Sequence, residues 1–314
     1  MVQIIDGVIQ TEDITKNAMG GTELIAHAMV KYINPELLKG VQIVHSRVRD
    51  LDFSKKRILV LHDLHNDPEN KHLASGGYNK FDKIVFVSNW QMQNFINMYS
   101  IPWYKCAVIK NAIVPLKKRE KIDGKVKLIY HTTPHRGLSI LLSVFDSMLQ
   151  NNPDIDLTLD VYSSFKIYGW DDRDNDFKNL FDFCENHDKI NYYGSVSNEE
   201  VKDAISKADI FAYPSIWPET SGISLIEAMS AGLLCVHPNY AALYETAANW
   251  TNMYQFESAE RGHAKAFAAQ LDSAIKVLND GLVETTLKNQ SIYTDMFYSW
   301  ETRKYQWEHL LRSL

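Results

Sequence analysis

Residues 208–236 read as one strand–helix–strand unit, and a chain that contains such a unit has few folds open to it. Ala208-Asp209-Ile210-Phe211-Ala212-Tyr213 is a short apolar run that stops at the turn signal Pro214-Ser215. Thr220, Ser221 and Gly222 are helix-entry residues, and Ile223, Ile226 and Met229 recur at helical spacing, which predicts a helix with a buried stripe. Gly232 leads into the next apolar run, Leu233-Leu234-Cys235-Val236. Strands alternating with helices are the pattern of parallel α/β layers.

The same alternation fills the chain. Runs 56–61, 83–87 and 106–109 read as buried strands in the first half, and 127–130, 157–161 and 210–213 in the second. Each is followed by polar or glycine-containing residues and then a helical period. The basic cluster Lys117-Lys118-Arg119-Glu120-Lys121 lies between turn-like flanks, Val114-Pro115 and Asp123-Gly124, so it reads as a solvated linker at a domain boundary. A chain of 314 residues can give each half its own core.

Composition narrows the class. Hydrophobic residues at 45% and charged residues at 23% describe a soluble globular protein. No apolar run approaches the roughly 20 residues that span a bilayer, and Met1-Val2-Gln3-Ile4-Ile5-Asp6 lacks the features of a cleavable leader. Three scattered cysteines (Cys106, Cys184, Cys235) imply reduced thiols, and with the absent leader they predict a cytoplasmic protein. The net charge of −6 is uneven: residues 1–115 carry 13 basic and 11 acidic side chains, and 116–314 carry 20 and 28. Neither half has an arginine stripe or an aromatic stacking platform, which argues against nucleic acid.

Four constellations carry chemistry. Glu219 precedes the helix predicted after Gly222, and Glu227 lies inside it. The backbone N–H groups of such a helix start suit a phosphate, so two carboxylates can flank it without touching it. A ligand with a central diphosphate and hydroxyl-bearing sugars at both ends fits that arrangement. In Asn17-Ala18-Met19-Gly20-Gly21-Thr22-Glu23-Leu24, paired glycines permit positive φ and Thr22 can cap the following helix, giving a second helix start for phosphates. The segment lacks the Gly-x-Gly-x-x-Gly spacing of a nicotinamide enzyme. In His131-Thr132-Thr133-Pro134-His135-Arg136-Gly137-Leu138, Arg136 falls in a strand-to-helix loop, where ligands gather and a guanidinium matches phosphate geometry. His62-Asp63-Leu64-His65 closes a predicted strand; His62 and His65 could ligate a metal only with a third ligand. Asp172, Asp174 and Asp176 imitate a calcium loop, but Phe177 and Phe183 occupy its glycine and glutamate positions, which leaves an acidic surface loop.

The segment holding Glu219 and Glu227 resembles the Glu-x7-Glu signature of retaining GT-B-fold glycosyltransferases, of the family 4, glycosyl transferases group 1 type. The resemblance covers nearly the whole chain. Val85-Phe86-Val87-Ser88-Asn89-Trp90, Ile101-Pro102 and Val108-Ile109-Lys110-Asn111-Ala112 look like the end of a GT-B N-terminal domain, and Phe297-Tyr298-Ser299-Trp300-Glu301 like the tail that crosses back onto it.

That resemblance implies an α/β, GT-B fold of two Rossmann-like domains facing each other across a cleft. Residues 1–115, completed by a helix at 297–314, would form the acceptor-side domain, and 116–296 the nucleotide-sugar-binding domain. It implies transfer of a sugar from a nucleotide-diphosphate donor to an acceptor hydroxyl with retention, with no metal and no cofactor beyond the co-substrate. His62 would touch the transferred sugar, Glu219 hold its hydroxyls and Arg136 neutralise the leaving diphosphate. Gly20, Gly21, His131, Ser221, Gly222, Ile223 and Glu227 would bind the donor, Glu227 through the ribose. The acceptor could be a glycan, lipid, protein or small molecule, and peripheral membrane contact stays open.

Two departures stand out. Tyr130 and His131 occupy the place where the family often has another arginine, and the stretch between the glycine loop and His62 is short. The first leaves room for a non-catalytic nucleotide-sugar-binding protein. A sugar-nucleotide 2-epimerase shares the fold but not the glutamate pair in this context, and charge disfavours a DNA-modifying sugar transferase.

Overall fold

The computed structural model describes residues 2–11, 20–120 and 125–314, and the chain divides into two units, 1–114 with 296–314 and 115–295. In the first unit an antiparallel hairpin opens the sheet: β1 (Val2–Ile5) and β2 (Val8–Thr11). Its two-residue loop, Asp6-Gly7, has φ of 50° and 79°, the paired positive values of a type I′ turn. Asp6 is also held from outside the hairpin, accepting from the Gly40 backbone at 2.7 Å and from Lys55 Nζ at 2.6 Å. After α1 (Gly21–Tyr32) come β3 (Val41–His45), β4 (Lys56–Leu61), β5 (Lys83–Phe86), α2 (Asn89–Tyr99) and β6 (Cys106–Val108). The order across the sheet is β2-β1-β3-β4-β5-β6, antiparallel up to the β1–β3 pair and parallel from β3 to β6. The hairpin makes this sheet mixed where alternation alone predicts parallel strands.

The core of this sheet is built from Leu59, Leu61, Ile84 and Phe86 on the strands, covered by Phe95 of α2 and by Leu73 and Phe81. Ser88 caps α2 by accepting from the Gln91 N–H at 3.1 Å.

The second unit holds β7 (Lys125–Tyr130), α3 (Leu138–Asn151), β8 (Asp156–Val161), α4 (Lys178–Glu185), β9 (Ile190–Tyr192), α5 (Asn198–Ile205) and β10 (Ile210–Ala212). It continues through α6 (Ile223–Ala231), β11 (Leu234–Pro238), α7 (Leu243–Ala247), β12 (Asn252–Tyr254) and α8 (Glu260–Asn279) to α9 (Glu284–Tyr298), in which the chain returns to the first unit. The six strands are parallel throughout, in the order β12-β11-β10-β7-β8-β9. Burial on both faces explains their near-continuous apolar runs. Leu128, Ile129, Ile210, Phe211, Cys235 and Val236 are all inaccessible.

The chain winds outward from β7 in one direction to β9, then starts again beside β7 with β10 and winds the other way. The reversal opens a crevice at the carboxyl ends of β7 and β10, where ligands of such sheets bind.

α10 (Trp300–Arg312) belongs to the first unit, where Trp300 stacks on Tyr32 at 5.8 Å and Ile113 bridges Ser299.

Four expectations are corrected. The basic cluster is solvated only in part: Lys117, Lys118 and Glu120 are exposed, but the Arg119 side chain is buried, paired with Asp209 at 3.0 Å and Glu284 at 2.6 Å, and donates to the Gly232 carbonyl. Lys118 likewise donates to the Ser230 carbonyl and pairs with Asp295. Carboxylates distant in sequence neutralise the Arg119 charge, which lets it leave water. Residues 121–124 lie outside the described residues. Thr22 does not cap α1; it is the second residue of the helix, and Gly20 holds the cap position with no side-chain bond. Neither glycine of the pair uses positive φ: Gly20 is extended at −67° and Gly21 is helical. Asn17, Ala18 and Met19 fall outside the described residues. Finally, α6 has more than a buried stripe. Leu225, Ile226, Ala228, Met229, Ser230 and Ala231 are all buried, and Ile223 is only partly so, because neighbouring elements pack the helix on several sides.

Candidate active site

The loops that follow β7 and β10 meet at the crevice, and a glycine sets how closely they approach. Gly137 has φ of 124°, and a Cβ there would sit 2.1 Å from the Pro214 carbonyl oxygen. No other residue type fits both the backbone angle and the gap. The Ile216 N–H donates to the Arg136 carbonyl at 3.3 Å, joining one loop to the other.

This approach delivers Arg136 to Glu219. The guanidinium Nη1 pairs with the Glu219 carboxylate, and Nε donates to Thr133 Oγ1 at 3.0 Å. The Tyr213 hydroxyl donates to the same Glu219 oxygen at 2.5 Å. Among the described residues Nη2 of Arg136 makes no hydrogen bond, so one arm of the fork is unused. Trp217 lies beside the guanidinium, 6.0 Å from its ring centroid. The Glu219 loop is braced from behind: its carbonyl accepts from the Ala242 N–H at 3.0 Å, and the Ser221 carbonyl accepts from Thr246 Oγ1 at 2.6 Å.

Ser221 and Gly222 are buried at the entry of α6, and Gly222 is its N-cap with φ of 84°. Ile223 and Ser224 open the helix, so its positive end faces the same crevice.

His131 sits against Phe211 with ring centroids 4.7 Å apart, and its ring nitrogens are buried. Burial pushes its pKa down to about 4, against a smaller opposing pull from the Ser224 backbone. It is therefore a neutral imidazole at pH 7 and does not replace a second basic residue. Tyr130 is buried and donates to the Thr133 carbonyl at 3.0 Å, bracing the Arg136 loop instead of charging the site.

Glu227 lies on α6 toward Glu199 and Lys202 of α5. Burial pushes its carboxyl up to about 7, with Lys202 pulling it down and Glu199 pushing it further up.

Arg136, Glu219, Ser221, Gly222, Ile223, His131 and Glu227 thus belong to the second unit, and the first five gather at the crevice. Gly20, Gly21 and His62 belong to the first unit. His62 follows β4; its backbone N–H donates to Ser46 Oγ at 3.1 Å, and burial pushes its ring down to about 4. Among the described residues no three His, Cys, Asp or Glu side chains cluster to hold a metal. Asp174 of the acidic loop accepts from Ser164 Oγ and the Phe165 N–H, a structural use.

Sequence reasoning missed Tyr213 and Trp217. Tyr213 is the residue just past β10, at the carboxyl end where ligands gather, and that position was its available signal.

Two α/β units of this kind, one sheet parallel and the other parallel beyond its opening hairpin, match the architecture of GT-B glycosyltransferases. A glycosyltransferase from Rickettsia africae ESF-5 superposes with a TM-score of 0.67 at 18% identity, over 97% of this chain and 84% of that one. Anabaena Alr3699/HepE, crystallised with UDP and glucose, gives 0.65 at 17% identity, over 94% and 77%. The profile of the glycosyl transferases group 1 family matches residues 116–281, and the chain belongs to that family. It is similar to the phosphatidylinositol N-acetylglucosaminyltransferase GPI3 subunit of Saccharomyces cerevisiae strain YJM789, 23% identical over 292 residues, covering 84% of this chain. The chain spans 61% of that relative's length.

Two outcomes follow from the geometry. Removing one partner of a buried ion pair strands the other charge, at a cost of about 3–5 kcal/mol. Arg136→Ala and Glu219→Ala should each lower stability on that scale in thermal or urea unfolding, while the double variant should lose clearly less than their sum.

Glu227 gives a pH signature. Its folded pKa, near 7, lies above its unfolded value, so the unfolded chain releases the proton first as pH rises and stability falls between about pH 4.5 and 7. Glu227→Gln should therefore raise the ligand-free melting temperature at pH 8 and leave it nearly unchanged at pH 4.5, measured by calorimetry.

Proposed function

We propose that the chain transfers a sugar from a nucleotide-diphosphate donor to an acceptor hydroxyl, with retention at the anomeric carbon. The observation that carries this reading is Arg136 anchored on two sides, with Nη2 unused among the described residues, in the loop beside the entry of α6. An anchored guanidinium loses little freedom when a diphosphate takes its remaining N–H groups, and charge-assisted bonds of this kind are the strong ones. In this proposal Arg136 and the helix start stabilise the leaving diphosphate electrostatically. Glu219, steadied by Tyr213, accepts from hydroxyls of the reacting sugar. Glu227 accepts from the ribose diol, His131 contributes polarity without charge, and Gly20 and Gly21 bring a second helix start to the donor. His62 touches the transferred sugar. No metal or further cofactor takes part.

The relatives suggest where to begin with donors. The Anabaena structure holds UDP and glucose, and the yeast relative is named for N-acetylglucosamine transfer, so UDP-glucose and UDP-N-acetylglucosamine head the panel. Acceptor and cellular location stay with experiment; among the described residues no helix is long and apolar enough to cross a membrane. The neutral Tyr130 and His131 favour one second reading, a nucleotide-sugar-binding protein without turnover. Donor hydrolysis measured without acceptor separates the two.

The roles make distinct predictions in calorimetric titration and steady-state assays on folded variants. Arg136→Ala should weaken nucleoside-diphosphate affinity by about 1.5–3 kcal/mol, the scale of a charge-assisted hydrogen bond. Glu219→Gln should depress turnover and spare affinity for the bare nucleotide, whereas Glu227→Ala should weaken nucleotide and sugar nucleotide alike. Equal damage to nucleotide binding from both glutamate variants would reverse the assignment. Turnover lost to EDTA and restored by a divalent ion would replace the metal-free mechanism.

Affinity for the sugar nucleotide should also rise between pH 6 and 8, as Glu227 ionises through about 7. The phosphates of a sugar nucleotide do not titrate in that window, so the carboxylate alone is read. Full dependence on it would give about tenfold, and Glu227→Gln should flatten the profile.

A further inference from the structure

The amino edge of the first sheet, where its parallel strands begin, carries large rings that nothing covers. Phe53 lies three residues ahead of β4 and is 69% exposed; Trp103 and Tyr104, just ahead of β6, are 81% and 59% exposed. Both loops hold these rings outward. Pro102 and the buried Ile101 fix the chain before Trp103, and the Lys105 N–H closes a turn on the Pro102 carbonyl at 2.9 Å. In the Phe53 loop the Asp52 N–H donates to Gln42 Oε1 at 2.8 Å, and Asp52 Oδ1 accepts from the Ser54 N–H at 2.9 Å. A tryptophan left so far in water forgoes most of the stabilisation that burying its area would bring.

The same edge is basic. Arg57 lies against the Phe53 ring at 4.6 Å and donates to the Lys80 carbonyl at 2.6 Å. Lys105 donates to the Phe81 carbonyl at 2.8 Å and Lys83 to the Tyr104 carbonyl at 2.7 Å, so one continuous surface runs from Phe53 to Tyr104. Carboxylates of this edge serve other groups: Asp6 pairs with Lys55 at 2.6 Å and Asp82 with Lys56 at 3.7 Å. Among the described residues Arg57, Lys80, Lys83 and Lys105 form no ion pair. A carbonyl satisfies one donor but cancels no charge, and each ammonium keeps further donors. Four cations without a carboxylate partner thus gather in a chain whose net charge is −6.

We propose that this edge docks on a lipid bilayer with anionic headgroups, with Phe53, Trp103 and Tyr104 entering the headgroup layer and the four cations lying on it. Protein interfaces are depleted of lysine, whereas aromatic rings beside lysine and arginine suit the interfacial layer over anionic lipid. A nucleic acid would use the charges, but the rings stand on two separate loops and build no stacking platform. None of these residues belongs to the proposed donor site, so the docking stands or falls apart from the transfer reaction.

The test floats the full chain with vesicles of phosphatidylcholine alone and of phosphatidylcholine carrying about 30% phosphatidylserine. The chain should rise with the second and stay behind with the first, and about 0.5 M salt should release it by screening. Each cation neutralised should weaken partitioning about fivefold, so the pair Lys80→Gln and Lys105→Gln should lose about 25-fold. Trp103→Ala should lose about tenfold. All variants should melt near the wild-type temperature, because the side chains they change lie at the surface. Absence of flotation with the anionic vesicles overturns the proposal. So does flotation that survives both the lysine pair and Trp103→Ala, which would put the contact elsewhere on the chain. Binding to a short duplex DNA as tight as to the anionic vesicles, and indifferent to Trp103→Ala, would leave charge attraction alone and remove the bilayer as the occupant.

Discussion

The contact between the β7–α3 loop and the β10–α6 loop governs the second unit. Position 137 has no room for a side chain against the Pro214 carbonyl, and only that closeness lets Arg136 reach Glu219. The ion pair in turn makes a buried carboxylate tolerable at the sheet's switch point, because Arg136 supplies the opposite charge and Tyr213 a further hydrogen bond. Thr133, Tyr130, Ala242 and Thr246 extend the bracing outward from that pair. An unusually apolar sheet therefore ends in a polar site whose groups are mostly satisfied before any ligand arrives.

The architecture was legible where strands are long and apolar. The runs at 56–61 and 127–130 are strands, with β7 starting two residues earlier than its apolar stretch. Three-residue strands such as β9 and β12 were not, because Ile190–Tyr192 and Asn252–Tyr254 are short, carry polar residues and form only when β8 and β11 offer an edge. The β1–β2 hairpin did leave a signal in Asp6-Gly7, a turn pair flanked by apolar runs, but the alternation of strands and helices elsewhere hides it.

The members of the candidate site could be named from the sequence one by one, but their pairings could not. Arg136 and Glu219 stand out separately, yet 83 positions divide them and nothing local says that one neutralises the other. The same blindness explains the basic cluster. Arg119 resembles a solvated charge until Asp209 and Glu284 arrive from 90 and 165 positions away.

The fit at Gly137 also bears on how the protein could be re-engineered. Exchanging the 131–137 loop alone for one from a relative would set a foreign backbone against a Pro214 carbonyl shaped for this one, and exchanging 213–222 alone would fail in mirror fashion. The two loops form one transplantable module in two pieces of chain. A graft meant to alter donor preference has to carry both, together with the strand ends that hold them in register.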